Sequence, residues 1–328
     1  MAQLVKLLDY VSRYENDLTR YPTQYIRLKN SQWRRMKTQW EHGADLSDWR
    51  QIPEEPEERT EEGKWYSPLF RIFGNRKEQT DEIESIETDE KDQEEIDVFD
   101  FNPNIIYHPE NEEQLRKLYL DQLFHFQLKW ASSTMMEKSN LDAGFMRDSL
   151  LRSFTQQLPD SYLLFYYPIL KVKKAPVELD ILLITPIECL CITVLEGENA
   201  AAFIGDGDRF WTKKFGDQES KILNPLIGLN RMEKIVSGIL AAKGIDFPVK
   251  KLVISRNGYI DYPGMPFDTE IIDRKTYTEW FTSLRNSTAP MKFNQFKAAQ
   301  SILDMGQTTA VSRLFEEQVD QGQPDNNE

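Results

Sequence analysis

Residues 176–196 read PVELDILLITPIECLCITVLE, and this stretch most narrowly limits what the chain can fold into. Two runs rich in apolar, β-favouring side chains, ELDILLI and ECLCITVL, flank Thr185 and Pro186. Proline has no amide proton to give to a helix or a ladder, so the runs are expected to close as a β-hairpin. One carboxylate, Asp180, interrupts the first run, and Glu178 stands two residues before it, on the same side of an extended chain. Cys189 and Cys191 share a face of the second run at a spacing that rarely permits a disulfide, and they read as two small buried hydrophobes.

A chain of 328 residues, 40% of them apolar and 12% aromatic, has ample material for one large core or two modest ones. The net charge of −14 is unevenly spread. Residues 51–100 carry 18 acidic against 6 basic side chains, whereas residues 1–50 carry 6 against 9. The remainder is mildly acidic, a balance that neither requires nor excludes a nucleic-acid groove. There is no run of about 18 apolar residues to span a bilayer and no secretory pattern at the start, which leads to the expectation of a cytoplasmic protein without a membrane span.

Along the chain, Leu4, Leu8, Val11, Tyr14 and Leu18 fall at helical spacing over residues 2–20. A second helix carries Tyr25, Leu28, Trp33, Met36 and Trp40, with Gly43 as its stop, so residues 1–50 are expected to form a helical hairpin. Its basic residues, Arg27, Lys29, Arg34, Arg35 and Lys37, read as a solvated face. Residues 51–104 hold too little apolar surface to offset chain entropy and read as a mostly disordered acidic linker. The island WYSPLFRIF at 65–73 either docks onto its own domain or binds a protein partner.

Residues 105–318 then alternate helix and strand signals. Asn111 caps a helix to about Ser132, and a second helix spans 142–158. Strands follow at 163–172, 177–184, 189–195 and 202–211, the last with a turn at Asp206-Gly207. Asn224-Pro225 opens a helix to about Lys243, VKKLVISRN and TEIID give two strands, Asp273 caps a helix, and further helix lies within 294–317. This order predicts an α/β fold around a mixed sheet flanked by helices, with a disordered tail at 319–328.

The pattern over 142–260 resembles the nuclease-related domain (NERD) family of the PD-(D/E)XK nuclease superfamily. The resemblance rests on Gly144 and Asp148 in the first helix, Leu179-Asp180-Ile181-Leu182-Leu183 on a strand, Gly205 to Trp211, Asn224-Pro225-Leu226, and the strand ending Ile254-Ser255-Arg256-Asn257. It implies a restriction-endonuclease-like core within 142–260. The departures fall on the catalytic positions. Counting from Asp180, the acid of the family's acid-x-lysine pair falls on Thr193, the lysine on Leu195, and the helix glutamine on Gly228. Asp148 is a shorter counterpart of the usual glutamate.

Metal-assisted phosphodiester hydrolysis needs at least two oxygen ligands on a divalent ion and a group that aligns water or neutralises phosphate. Threonine is a weak neutral ligand and leucine does neither, so the resemblance implies a degenerate member, a pseudoenzyme with no cofactor, serving as a binding or scaffold module. On this reading Asp180 is a buried acid held by backbone donors or an arginine, and nucleic acid would be contacted by Lys171, Lys173, Lys174, Lys213 and Lys214, unless these are solvated edge residues. The alternative is an active nuclease in which Asp180 and Glu178 hold Mg2+ or Mn2+ and Asp148 and Glu196 complete a rearranged site. Glu196 has the wrong strand parity for that role unless a bulge reverses it. A third reading places protein partners on residues 65–73 or on the N-terminal helices. No phosphate-cradling glycine loop or nucleophile elbow is present.

Overall fold

The computed structural model describes residues 1–43, 109–172, 175–264, 266–310 and 312–313. In chain order the elements are β1 (Gln3–Leu7), α1 (Arg20–Glu41), α2 (Glu112–Trp130), β2 (Glu137–Lys138), α3 (Gly144–Arg147), α4 (Ser149–Gln157), β3 (Leu163–Tyr166), β4 (Ile169–Val172), β5 (Ala175–Glu178), β6 (Ile181–Ile184) and β7 (Cys189–Val194). They continue as β8 (Ala202–Ile204), β9 (Phe210–Phe215), β10 (Gln218–Leu223), α5 (Pro225–Ala242), β11 (Val249–Ile254), β12 (Tyr259–Asp261), β13 (Thr269–Ile272), α6 (Tyr277–Arg285), α7 (Phe293–Leu303) and β14 (Ser312–Arg313).

The centre is a six-stranded mixed sheet ordered β1-β3-β6-β7-β11-β13. The expected hairpin is there: β6 and β7 pair antiparallel, with Ile181 opposite Ile192 and Ile184 opposite Cys189. Strands β1 and β3 are parallel, β3 is antiparallel to β6, and β7, β11 and β13 are parallel. Every strand except β6 therefore ends at the same edge, where β6 begins. Side chains of one face, such as Leu182, Cys189, Cys191 and Val253, join a core with α1, α5 and α7. Those of the other face, such as Ile181, Leu190, Ile192 and Leu252, pack with α4 and α6. Each fully buried Leu or Ile contributes about 1.5–3 kcal/mol, so the hairpin's apolar runs hold both layers to the sheet.

The N-terminal expectation is corrected. Residues 3–7 form a strand instead of the first arm of a helical hairpin, and β1 extends the central sheet through parallel pairing with β3. All of its residues are buried, with Val5 in one core and Leu4 and Leu7 in the other. A strand covered on both faces shows no alternation, so periodicity alone cannot separate it from a helix. The second helix stands as expected. Gly43 follows it at φ 65° and donates its N–H to the Trp40 carbonyl.

Other boundaries differ for local reasons. The helix expected over 142–158 breaks at Asp148, whose φ, ψ of −66°, 109° is extended and whose carboxylate caps α4. The strands expected at 163–172 and 177–184 each bend once, producing β3 and β4 on one arm and β5 and β6 on the other. The last long helix ends at Leu303. At the turn between β8 and β9, the Asp206 carboxylate accepts the Asp208 N–H. Gly205 lies so close to Trp211 that an added Cβ would stand 2.7 Å from the indole. The acidic linker, the 65–73 island, Lys173, Lys174 and the 319–328 tail lie outside the described residues. Among the described residues, no helix is long and apolar enough to cross a membrane.

Candidate functional site at the carboxyl edge of the sheet

In open α/β sheets, ligands sit beyond the carboxyl ends of the parallel strands. Here that edge carries Tyr166 at the end of β3 with Tyr167 after it, Asp180 before β6, Thr193 in β7 with Glu196 beyond it, and Arg256 after β11. Local backbone geometry places Asp180. Tyr167 adopts a left-handed φ of 50°, its N–H donates to the Asp180 carbonyl at 2.9 Å, and Leu179 N–H donates to the Pro168 carbonyl at 3.0 Å. These bonds carry the antiparallel pairing through the bend, so Asp180 lies between the β4–β5 and β3–β6 pairings. On the neighbouring strand, Leu8 is also left-handed, at φ 47°, and its N–H donates to the Tyr166 carbonyl. Left-handed non-glycine residues cost of order 1–3 kcal/mol each and gather at functional edges.

The register that sets Ile181 opposite Ile192 brings Asp180 beside Thr193. Thr193 Oγ1 donates to Asp180 Oδ2 at 2.5 Å. The position where a second metal-binding acid was sought thus supplies a neutral donor to the first acid. Leu195, the lysine counterpart, packs against the core.

The other candidate acids have separate partners. Asp148 Oδ1 accepts the N–H groups of Leu150 and Leu151, and its Oδ2 accepts the Tyr166 hydroxyl at 2.6 Å. Glu196 forms an ion pair with Arg256, whose Nε donates to it at 2.5 Å and whose Nη2 also reaches Ser149 Oγ at 3.2 Å. Glu178 is exposed at the end of β5, opposite Ile169. Glu178 and Asp180 therefore do not share one continuous strand, because the bend at Leu179 separates them. Asp180, Glu178, Asp148 and Glu196 all act electrostatically on Tyr167. Burial first, and then these negative charges, push its phenol up to about 12. Tyr166 is raised further, by burial and by donating to Asp148.

As ligands for Mg2+ or Mn2+, these residues do not fit. Among the described residues, no group of three His, Cys, Asp or Glu side chains is placed to hold a metal ion. A lone carboxylate backed by a threonine hydroxyl gives too few oxygen ligands.

The lysines do not form one patch. Lys171 lies on the β4–β5 hairpin, whereas Lys213 and Lys214 lie on the separate sheet ordered β10-β9-β8-β12. Lys213 pairs with Glu198 at 2.7 Å and Lys214 with Glu219 at 2.6 Å. Cys189 and Cys191 are buried free thiols. Sequence reasoning quoted Arg256 only as part of a motif and missed its clamp on Glu196. It also missed Tyr166 and Tyr167, for which the only local signal was the Pro168 that follows them.

The fold and this edge define a mixed α/β protein with a polar carboxylate and tyrosine cluster at the strand ends. No family model matches the chain, and no solved structure matches it. Over 55 residues it is 47% identical to a Geobacillus stearothermophilus protein named RNA 2',3'-cyclic phosphodiesterase, a stretch covering 17% of this chain and 18% of that relative. The match thus spans less than a fifth of the relative's length.

Proposed function

We propose that this chain is a degenerate nuclease-like protein that binds nucleic acid without cleaving it. Its carboxyl-edge cluster, derived from a nuclease-type site, serves as structure in place of catalysis. The observation that carries this reading is the Thr193 to Asp180 hydrogen bond, which fills with a neutral hydroxyl the place where hydrolysis needs a second anionic ligand. Glu196 is neutralised by Arg256, and Asp148 is occupied by a helix cap and a tyrosine. The partial likeness to a protein named for an RNA phosphodiester favours RNA over DNA as the ligand. The restriction-endonuclease-like core belongs to the same proposal, supported by the order α4-β3-β6-β7-α5-β11 around a mixed sheet.

The second reading is a metal-dependent nuclease using Asp180, Glu178, Asp148 and Glu196. It draws on the fact that all four carboxylates influence Tyr167. One experiment separates the two: incubating the full chain and its Asp180→Ala variant with Mg2+ or Mn2+ and labelled single- and double-stranded DNA and RNA, including RNA ending in a 2',3'-cyclic phosphate. The expected result is RNA binding with no cleavage by either protein. Metal-dependent cleavage that Asp180→Ala abolishes would overturn the proposal and install the rearranged site.

A further inference from the structure

A groove of about 850 Å³ runs along the outer face of α5, shares no lining residue with the carboxyl-edge cluster, and is walled by Val172 of β4 and by Met305 beyond α7. Ile227, Ile235 and Ile239 line it at helical spacing, and Gly238, with nothing within 4 Å of the place a Cβ would occupy, leaves it open. Arg231, Lys234 and Lys243 also line it, all three exposed and none in an ion pair among the described residues. Ile227 is itself exposed, four residues after exposed Leu223 at the end of β10, whose register partner Phe210 is exposed as well. An apolar floor edged by unpaired cations on a single helix face is unusual for a surface that meets only water.

The chemistry of this groove selects its occupant. Single-stranded nucleic acid is held by stacking on aromatic rings, and the groove's apolar lining is aliphatic. An acidic peptide with aliphatic side chains matches both the floor and the rim. The same chain contains one. Residues 81–99, DEIESIETDEKDQEEIDVF, combine ten acidic residues and a single lysine with Ile83, Ile86, Ile96, Val98 and Phe99. The described chain leaves at Gly43 and resumes at Pro109, and an extended stretch of that length reaches well over 100 Å, so reach sets no limit.

We infer that the groove on α5 docks the acidic segment 81–99 of its own chain, with isoleucines on the floor and carboxylates against Arg231, Lys234 and Lys243. This inference does not depend on whether the carboxyl edge cleaves, binds or does neither.

The test uses the full-length chain carrying a photo-crosslinking amino acid at Gly238, irradiated while monomeric, with adducts mapped by mass spectrometry. Adducts are expected within 81–99. They should fall several-fold in Arg231→Glu/Lys234→Glu/Lys243→Glu, and they should weaken in high salt because exposed ion pairs are screened. The three positions are exposed, so the variant is expected to fold, and circular dichroism verifies that it does. Adducts elsewhere in the chain, adducts joining two chains, adducts to added RNA, or a yield indifferent to charge reversal would each overturn the inference.

Discussion

Thr193 and Asp180 face each other across adjacent strands, and the threonine hydroxyl donates to the aspartate at 2.5 Å. A hydrogen bond to a charged acceptor exceeds an ordinary one, but both residues are only half-buried. Thr193→Val is expected to lower stability by about 1 kcal/mol, read from the urea midpoint. Thr193→Asp places a second carboxylate beside the first and should create weak Mn2+ binding, measured by calorimetry, that the parent chain lacks. If the parent binds Mn2+ equally well, Asp180 is already a ligand and the site is not degenerate.

Tyr167 supplies a pH-dependent reporter of the same edge. Its phenol is pushed up to about 12, by burial first and then by the charges of Asp180, Asp148, Glu196 and Glu178. The fold favours the protonated ring, so this contribution to stability is complete below the ordinary tyrosine value of about 10 and is lost as pH rises from there to about 12. Carbon NMR of labelled tyrosine rings, assigned with Tyr167→Phe, should show this late titration. Asp180→Asn should move it partway back, since burial remains. An unchanged Tyr167 titration in Asp180→Asn would mean that the two groups are not coupled.

The elements legible in the sequence were those whose cause is local. Asn111 accepts the Gln114 N–H and Asn224 accepts the Leu226 N–H, each at the helix start its type and position implied. The β6–β7 hairpin followed from two apolar runs around a proline. What sequence could not supply was partnership at a distance. Strand β1 is defined by β3, some 160 residues later, and the bend at Tyr167 and Pro168 exists because the strand leaves the central sheet there to pair with β5. At the candidate site, counting residues put Thr193 at the acid position, but its bond to Asp180 needed the β6–β7 register, and the Arg256 clamp on Glu196 needed the parallel register of β7 with β11, to become visible.

That clamp is a modest interaction. Glu196 is 45% exposed and Arg256 22% exposed, so solvent screens much of their attraction. A double-mutant cycle of Glu196→Gln and Arg256→Gln should give a coupling of up to about 1 kcal/mol that shrinks with added salt. A coupling several times larger and insensitive to salt would mark the pair as a buried element of the site.

The edge of the sheet offers the most direct check on the N-terminal strand. On its outer side β1 has no strand neighbour among the described residues, and the side chain of Gln127 on α2 takes that place: its Oε1 accepts the Leu4 N–H at 2.8 Å and its Nε2 donates to the Ala2 carbonyl at 2.9 Å. One amide thus satisfies the donor and acceptor that an open edge would leave unpaired. Gln127→Leu keeps the bulk but strands both backbone groups in the core, at a cost of about 1–3 kcal/mol. It should also speed hydrogen exchange at Leu4 relative to the amides of β6. Gln127→Glu retains the acceptor for Leu4 and loses the donor to Ala2, so its Leu4 amide should exchange more slowly than in Gln127→Leu. If residues 2–20 were helical, the Leu4 amide would lie in the first turn with no carbonyl four residues earlier to accept it, so it would exchange rapidly already in the parent and neither substitution would change its exchange.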